Sequence, residues 1–394
     1  MIIKKIVLLI AVVFSIHFLS CSDSPSSIGE EFLSDDLISV KSFDSSIDST
    51  DQSSTFFKEV IPLGNSSRLL LGKFENTKAS LLLRFSFTLA DSIKEDFLAG
   101  EISVLSASLS LTNNYFIGDE TAPYDFTIHK VNQFWTPLGF SADSLATLNY
   151  DPDDRIISKN ITDTLTSIEL DTSLVRDWLL YASDATMGSN LGIYLNPSES
   201  SQKVLGFEAF SVNGTYYPAV QIVVEKVGAY IDTLTSSIFG DVSIVTGDLP
   251  VADVGNIIVQ SGLTVNSRLF FDLTVLPEGS VINKAELFLT EDTLKSKVGS
   301  TYLSIISAFF VVDSTIDSSD AASVILLNRS GNIFSGDITS YARSWQFNHN
   351  NQGIILKNFD RLNGLEKFIL YGSDYIDPLL RPKIKITYTL KDGL

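Results

Sequence analysis

Three carboxylates crowd one short stretch of this chain, "NYDPDDR" at residues 149 to 155, where Asp151, Asp153 and Asp154 stand at i, i+2 and i+3. In a turn, that spacing can bring oxygen ligands onto one calcium ion, the hard cation such ligands suit, although the full spacing of an EF-hand loop is missing. The other reading is a solvated acidic turn. Nearby aromatics offer a second chemistry. Tyr150 beside the cluster, Trp135 before it and Tyr115 in "NNYFIGDE" could stack on the apolar faces of sugar rings, with amides and carboxylates alongside. An aromatic at a strand end more often belongs to a core.

Catalytic motifs are missing. His129 lies in an alternating strand and His349 in the polar turn "FNHNNQG", and no HExxH, GxSxG or phosphate-cradling GxxxxGK occurs. A glycosidase needs only two acids about 5 to 10 Å apart across a cleft, and 47 acidic residues leave room for such a pair. The size of the units described below nevertheless points to a non-catalytic protein.

The only cysteine, Cys21, follows an apolar run from Ile6 to Leu19 that begins after Lys4 and Lys5. That run is shorter than the about 20 residues needed to cross a hydrocarbon core, and its basic start is that of an export signal. Phe18-Leu19-Ser20-Cys21 resembles the bacterial lipobox, which implies cleavage before Cys21 and its lipidation. Ser22 after the cysteine points to the outer membrane, on its cell-surface or periplasmic face. With Cys21 lipidated, no thiol remains for disulfides, thiolate catalysis or cysteine zinc sites. Removing the signal moves the formal charge from -19 to -21, which disfavours nucleic acid and anionic lipid surfaces as partners.

The remaining chain must position these residues with strands. Runs such as "SRLLLGKF", "ISVLSASLSLT", "DFTIHKV" and "AVQIVVEKV" are β-branched, aromatic and bounded by turn residues. Their order repeats. "LLLRFSFTLADSIKEDFLAGEISVLSASLSLT" is answered by "SRLFFDLTVLPEGSVINKAELFLT", matching Arg84 to Arg268, Phe87 to Phe271, Gly100 to Gly279 and Leu109 to Leu287. Trp178 then answers Trp345, Gly192 answers Gly353 and Pro218 answers Pro382, which makes a duplication. The first copy is longer by 5 residues between Phe87 and Gly100 and by a segment within about 136 to 165, read as a loop without strand signals. One helix per copy is expected. Leu174, Val175, Trp178 and Leu179, and Ile338, Tyr341, Ala342 and Trp345, each share a face at a period near 3.6, with Asp171 or Thr172 and Asp337 or Thr339 as caps.

The expected fold is therefore all-β: two tandem jelly-roll-like antiparallel β-sandwich domains, each with one short helix. The boundaries read as 1–20 signal peptide, 21–37 flexible tether, 38–227 first sandwich and 228–394 second sandwich, the second expected to fold alone unless the two share a large apolar interface.

The "LPEGSVINKAELFLT" run, the strand ending in "VNQFWT", the helix elements around Trp178 and Trp345 and the closing "RPKIKITYT" resemble the DNRLRE family, also described as a carbohydrate-binding module family. The resemblance covers roughly 60 to 394 and implies jelly-roll-like sandwiches and polysaccharide as a partner. The start, "CSDSPSSIGEEFL", is similar to uncharacterised surface lipoproteins of Bacteroidetes. Together these imply a lipid-anchored glycan-binding or adhesion protein. A structural or assembly role with an envelope protein as partner is the alternative.

Overall fold

The computed structural model describes residues 39–61, 66–209, 218–251, 256–348 and 350–390. Cys21, the stretches expected to be signal peptide and tether, and His349 lie outside them. Among the described residues no helix is long and apolar enough to cross a membrane.

Among the described residues, strands form two antiparallel sheets of 11 strands each, one per copy, each folded over so that its two halves face one another. In the first, Leu81, Leu83 and Phe85 meet Leu109, Leu111, Ile222 and Val224 in one core. In the second, Leu269 and Phe271 meet Leu287, Ile384 and Ile386. Both cores are built from every second residue of a strand, as the pleat requires.

Each copy carries its expected helix. Thr172–Ser183 buries Leu174, Val175, Trp178 and Leu179 and is capped by Asp171, whose side chain accepts from the Ser173 backbone at 2.9 Å. Thr339–Asn348 buries Tyr341, Ala342 and Trp345, and Asp337 accepts from the Thr339 backbone at 2.9 Å. The first copy adds two further short helices, Asp91–Leu98 and Ala142–Ala146. Both fall on the segments where it is longer.

The pairing confirms some of the internal matches and moves others. Leu109 lies opposite Val220, and Leu287 opposite Ile384, at equivalent places. Gly192 and Gly353 both have positive φ, and a Cβ on either would meet the carbonyl oxygen of Leu83 or of Leu269 within 2.5 Å. Asn190 and Asn351 each donate at 2.6 Å, to the carbonyls of Phe85 and Phe271. Leu83 thus answers Leu269 and Phe85 answers Phe271, so the Arg84/Arg268 and Phe87/Phe271 matches are two residues out. A slip of two keeps every side chain on its face, so the hydrophobic pattern does not reveal it. The segment 136–165 also contains structure: Ile156–Ile161 pairs with Leu165–Leu170, like the hairpin Ser318–Ser330/Ile333–Asp337 of the second copy.

The boundary at 227/228 changes most. Strands Tyr230–Thr235 and Ser237–Gly247 pair with Ala219–Lys226 and Thr77–Ser86 of the first sandwich. Strands Ser39–Asp44 and Gln52–Lys58, expected in the first sandwich, instead pair with Lys383–Leu390 and Val265–Phe271 of the second. The two strand pairs occupy equivalent places, so each sandwich is completed by strands from the other side of the expected boundary.

The copies also share a third core. Leu70, Tyr115, Ile117, Val204 and Val245 from the first meet Ile258, Leu263, Val265, Leu365 and Ile369 from the second. This shared apolar core would be uncovered in a fragment 228–394, which bears directly on the expectation that the fragment folds alone.

Candidate functional site

An exposed aromatic platform lies on the first sandwich. Phe134 and Phe239 are each 67 % exposed, and the Arg84 guanidinium sits over both rings, at 5.5 and 4.8 Å from their centroids. Leu138, 80 % exposed, continues the apolar surface.

Local structure explains both phenylalanines. Strand Ser237–Gly247 follows Thr77–Ser86 in register except between Ile238, opposite Phe85, and Gly240, opposite Arg84. Phe239 is the extra residue of a β-bulge, which re-aims its side chain out of the ladder. Gly240 completes the device: a Cβ there would stand 3.2 Å from Cγ of Pro137, so its absence lets the loop lie over the strand. Trp135 anchors that loop from inside. It is buried, donates from Nε1 to the Leu191 carbonyl at 2.8 Å and meets Phe140 edge-on at 6.0 Å. Its neighbour Phe134 is left facing solvent. Arg84 is held by a bond from Nε to the Asn190 carbonyl at 3.1 Å. The equivalent pair in the second copy, Gln52–Lys58 on Val265–Phe271, keeps register throughout. The platform belongs to the first copy alone.

The residues singled out in the sequence scatter. Tyr115 is not at a surface: it is 3 % exposed in the shared core, where its hydroxyl accepts from the Leu365 backbone at 3.1 Å and Arg68 covers its ring at 4.6 Å. A Cβ on Gly299 would fall 2.1 Å from that ring, so Gly299 makes room for it. Trp135 supports the platform from beneath and offers no ring face. Tyr150 is half-exposed, packed on His129 and Tyr194 with centroids 5.1 Å away from each. His129 is a bonded sheet residue: Nδ1 donates to the Asp151 carbonyl at 3.1 Å, and Nε2 and the Thr127 hydroxyl share a hydrogen bond at 2.8 Å.

The three aspartates do not converge. Asp151 pairs with Arg155, the arginine of the same motif, which also reaches Asp171 at 3.2 Å. The Asp153 backbone N–H, then Arg155, hold the Asp151 carboxyl below its usual range. Asp154 accepts from the Ile128 and Ile156 backbones at 2.9 and 3.2 Å, fastening the loop to the sheet. Among the described residues, no three His, Cys, Asp or Glu side chains gather as a metal site. Arg155 thus pairs with Asp151 of the cluster and with Asp171 outside it.

The platform was missed because Phe239 reads as an ordinary strand residue. The glycine after it, inside a strand pattern, was the available signal of a bulge. A cavity of about 580 Å³ in the second sandwich, lined by Phe270, Leu273, Leu276, Glu278, Trp345 and Gln346 among others, was also unforeseen. Comparison with protein-family models, with curated proteins and with solved structures finds no match to this chain.

Proposed function

We propose that this chain is a non-catalytic lipoprotein, anchored through Cys21 to the outer membrane, that holds an envelope partner on the Phe134–Arg84–Phe239 platform. The observation carrying this reading is the platform itself: two exposed aromatic rings displayed by a bulge and an anchored loop that the second copy lacks. Exposed apolar surface rimmed by polar groups marks interaction sites. Its side chains are Phe, Leu and Pro around one arginine, which fits a protein partner better than a sugar. Polysaccharide is the second reading, favoured by the two phenyl faces flanking a guanidinium, which could pair with the carboxylate of an acidic sugar.

Photo-cross-linking from position 239 in intact cells tests this. A discrete protein adduct is expected, reduced at least about tenfold by Phe134→Ser, the loss typical of an interface anchor. A glycan-array signal from residues 22–394 that disappears in Phe239→Ala would move the conclusion to polysaccharide. If neither signal depends on Phe134 or Phe239, the platform is not the site.

A further inference from the structure

The 580 Å³ cavity of the second sandwich lies where the first sandwich has a helix. From Phe85 to Leu109 the first copy runs 24 residues, and from Phe271 to Leu287 the second runs 16, so the difference equals the 8 residues of helix Asp91–Leu98. That helix buries Phe97 beside helix Thr172–Ser183, with the Arg176 guanidinium 5.6 Å from its ring. In the second copy the short connection leaves Leu273, Leu276 and Trp345 around a cavity, and the buried Nε1 of Trp345 finds no acceptor among the described residues. A buried donor left unpaired is costly, which calls for an occupant carrying an acceptor.

The chain itself contains one. Residues 27–33 read SIGEEFL, and residues 92–98, which form the helix of the first copy, read SIKEDFL: five of seven are identical, and Glu31 keeps the charge of Asp96. Chain geometry places this segment near the cavity. Edge strand Ser39–Asp44 enters the second sandwich with Ser39 opposite Leu390, as Tyr230 enters the first opposite Lys226. There, Tyr230 and Lys226 both donate to Asp96 of the helix, at 3.1 and 2.8 Å. The first residue of the edge strand therefore stands beside the helix position. Leu33 precedes Ser39 by six residues, a reach of about 20 Å when extended.

We propose that residues 27–33 dock into this cavity of the same molecule, with Phe32 taking the place that Phe97 holds in the first sandwich. The N-terminal segment would then complete the second sandwich, as strands Ser39–Asp44 and Gln52–Lys58 already do. The docking does not depend on lipidation; with Cys21 acylated, it would hold the second sandwich close to the membrane.

The test uses residues 22–394, which contain no cysteine, carrying Phe32→Cys with Leu276→Cys. Mild oxidation should give a monomeric disulfide at least about tenfold faster than in a control pairing Phe32→Cys with Leu98→Cys, exposed on the first sandwich. Hydrogen exchange gives a readout without cysteines: Phe32→Ala should speed exchange at 272–282 and 341–348 about tenfold, and Phe32→Leu should restore protection. Equal disulfide rates in both pairs, or exchange unchanged by Phe32→Ala, would overturn the proposal. So would a product that is dimeric at every protein concentration, since that places the segment in a second molecule.

Discussion

In the first sandwich, the connection after Phe85 becomes a helix that packs its end shut, and a bulge and an anchored loop display aromatic rings on its face. In the second, the same connection is a short turn, the equivalent strand pair keeps register, and a cavity opens beside Trp345. The parts common to both copies are those on which the core depends: the alternating strands, the capped helix, and the glycine that lets one strand pass over a carbonyl. The differences lie where the chain can lengthen without disturbing that core. One duplicated frame thus carries an outward platform on one copy and an inward recess on the other.

The largest effect should come from cutting the chain at the boundary that the repeats suggest. Fragment 228–394 lacks Ser39–Asp44 and Gln52–Lys58, which leaves Lys383–Leu390 and Val265–Phe271 with an unpaired edge and uncovers the shared core. Unpaired edges and exposed core surface favour aggregation over folding. Differential scanning calorimetry of the fragment should show no cooperative transition, and adding a peptide of residues 39–61 should restore one. A sharp transition from the fragment alone would mean that the exchanged strands are dispensable.

The two tryptophans should separate next. Trp178 is 1 % exposed, against Phe85 and Phe87 with centroids at 6.0 and 6.3 Å. Its truncation to Ala should cost about 3–5 kcal/mol, the usual range for a packed aromatic. In residues 39–394, which lack the segment proposed to dock, Trp345 borders an open cavity, so Trp345→Ala should shift the urea midpoint less than Trp178→Ala does. In residues 22–394 the docked segment should draw the two losses together, and a Trp345 loss as small there as in residues 39–394 would leave the cavity without its proposed occupant.

The smallest effect concerns the interface that joins the copies. Burial raises the Glu366 carboxyl above its usual range, although its own backbone N–H and the Tyr115 hydroxyl favour the ionised form. A carboxylate whose folded pKa is raised stabilises the fold below its unfolded value, and that contribution is lost as pH rises through the folded value. Glu366→Gln removes this dependence. The gap in stability between variant and parent should therefore move in favour of the variant as pH rises from about 4.5 to about 7.5, from the usual carboxylate range to neutrality. A gap that stays constant across this window would place Glu366 in contact with solvent.

Much of this was legible in the residues. Leu174, Val175, Trp178 and Leu179 share a helical face in any fold that makes the helix, and Asp171 caps it because its side chain meets the first free N–H groups. Other readings failed for physical reasons. Tyr115 has the same type and strand-end position as a ligand platform, and only the opposing Gly299 and Leu365 make it core. Asp151 and Asp154 look like cation ligands until Arg155 and the backbones of Ile128 and Ile156 are found beside them.

The sequence by itself determined the all-β class, the duplication, the two capped helices and which faces of the strands are buried, because these follow from local periodicity and backbone hydrogen bonding. Tertiary structure alone decided which strand completes which sandwich. Ser39–Asp44 and Tyr230–Thr235 are equivalent edge strands, and nothing local tells either which sheet it will join. Pairing is settled by where the chain can reach and what surface it can cover. For the same reason Phe239 and Trp345, ordinary aromatics in the sequence, became an exposed ring on a bulge and the wall of a cavity.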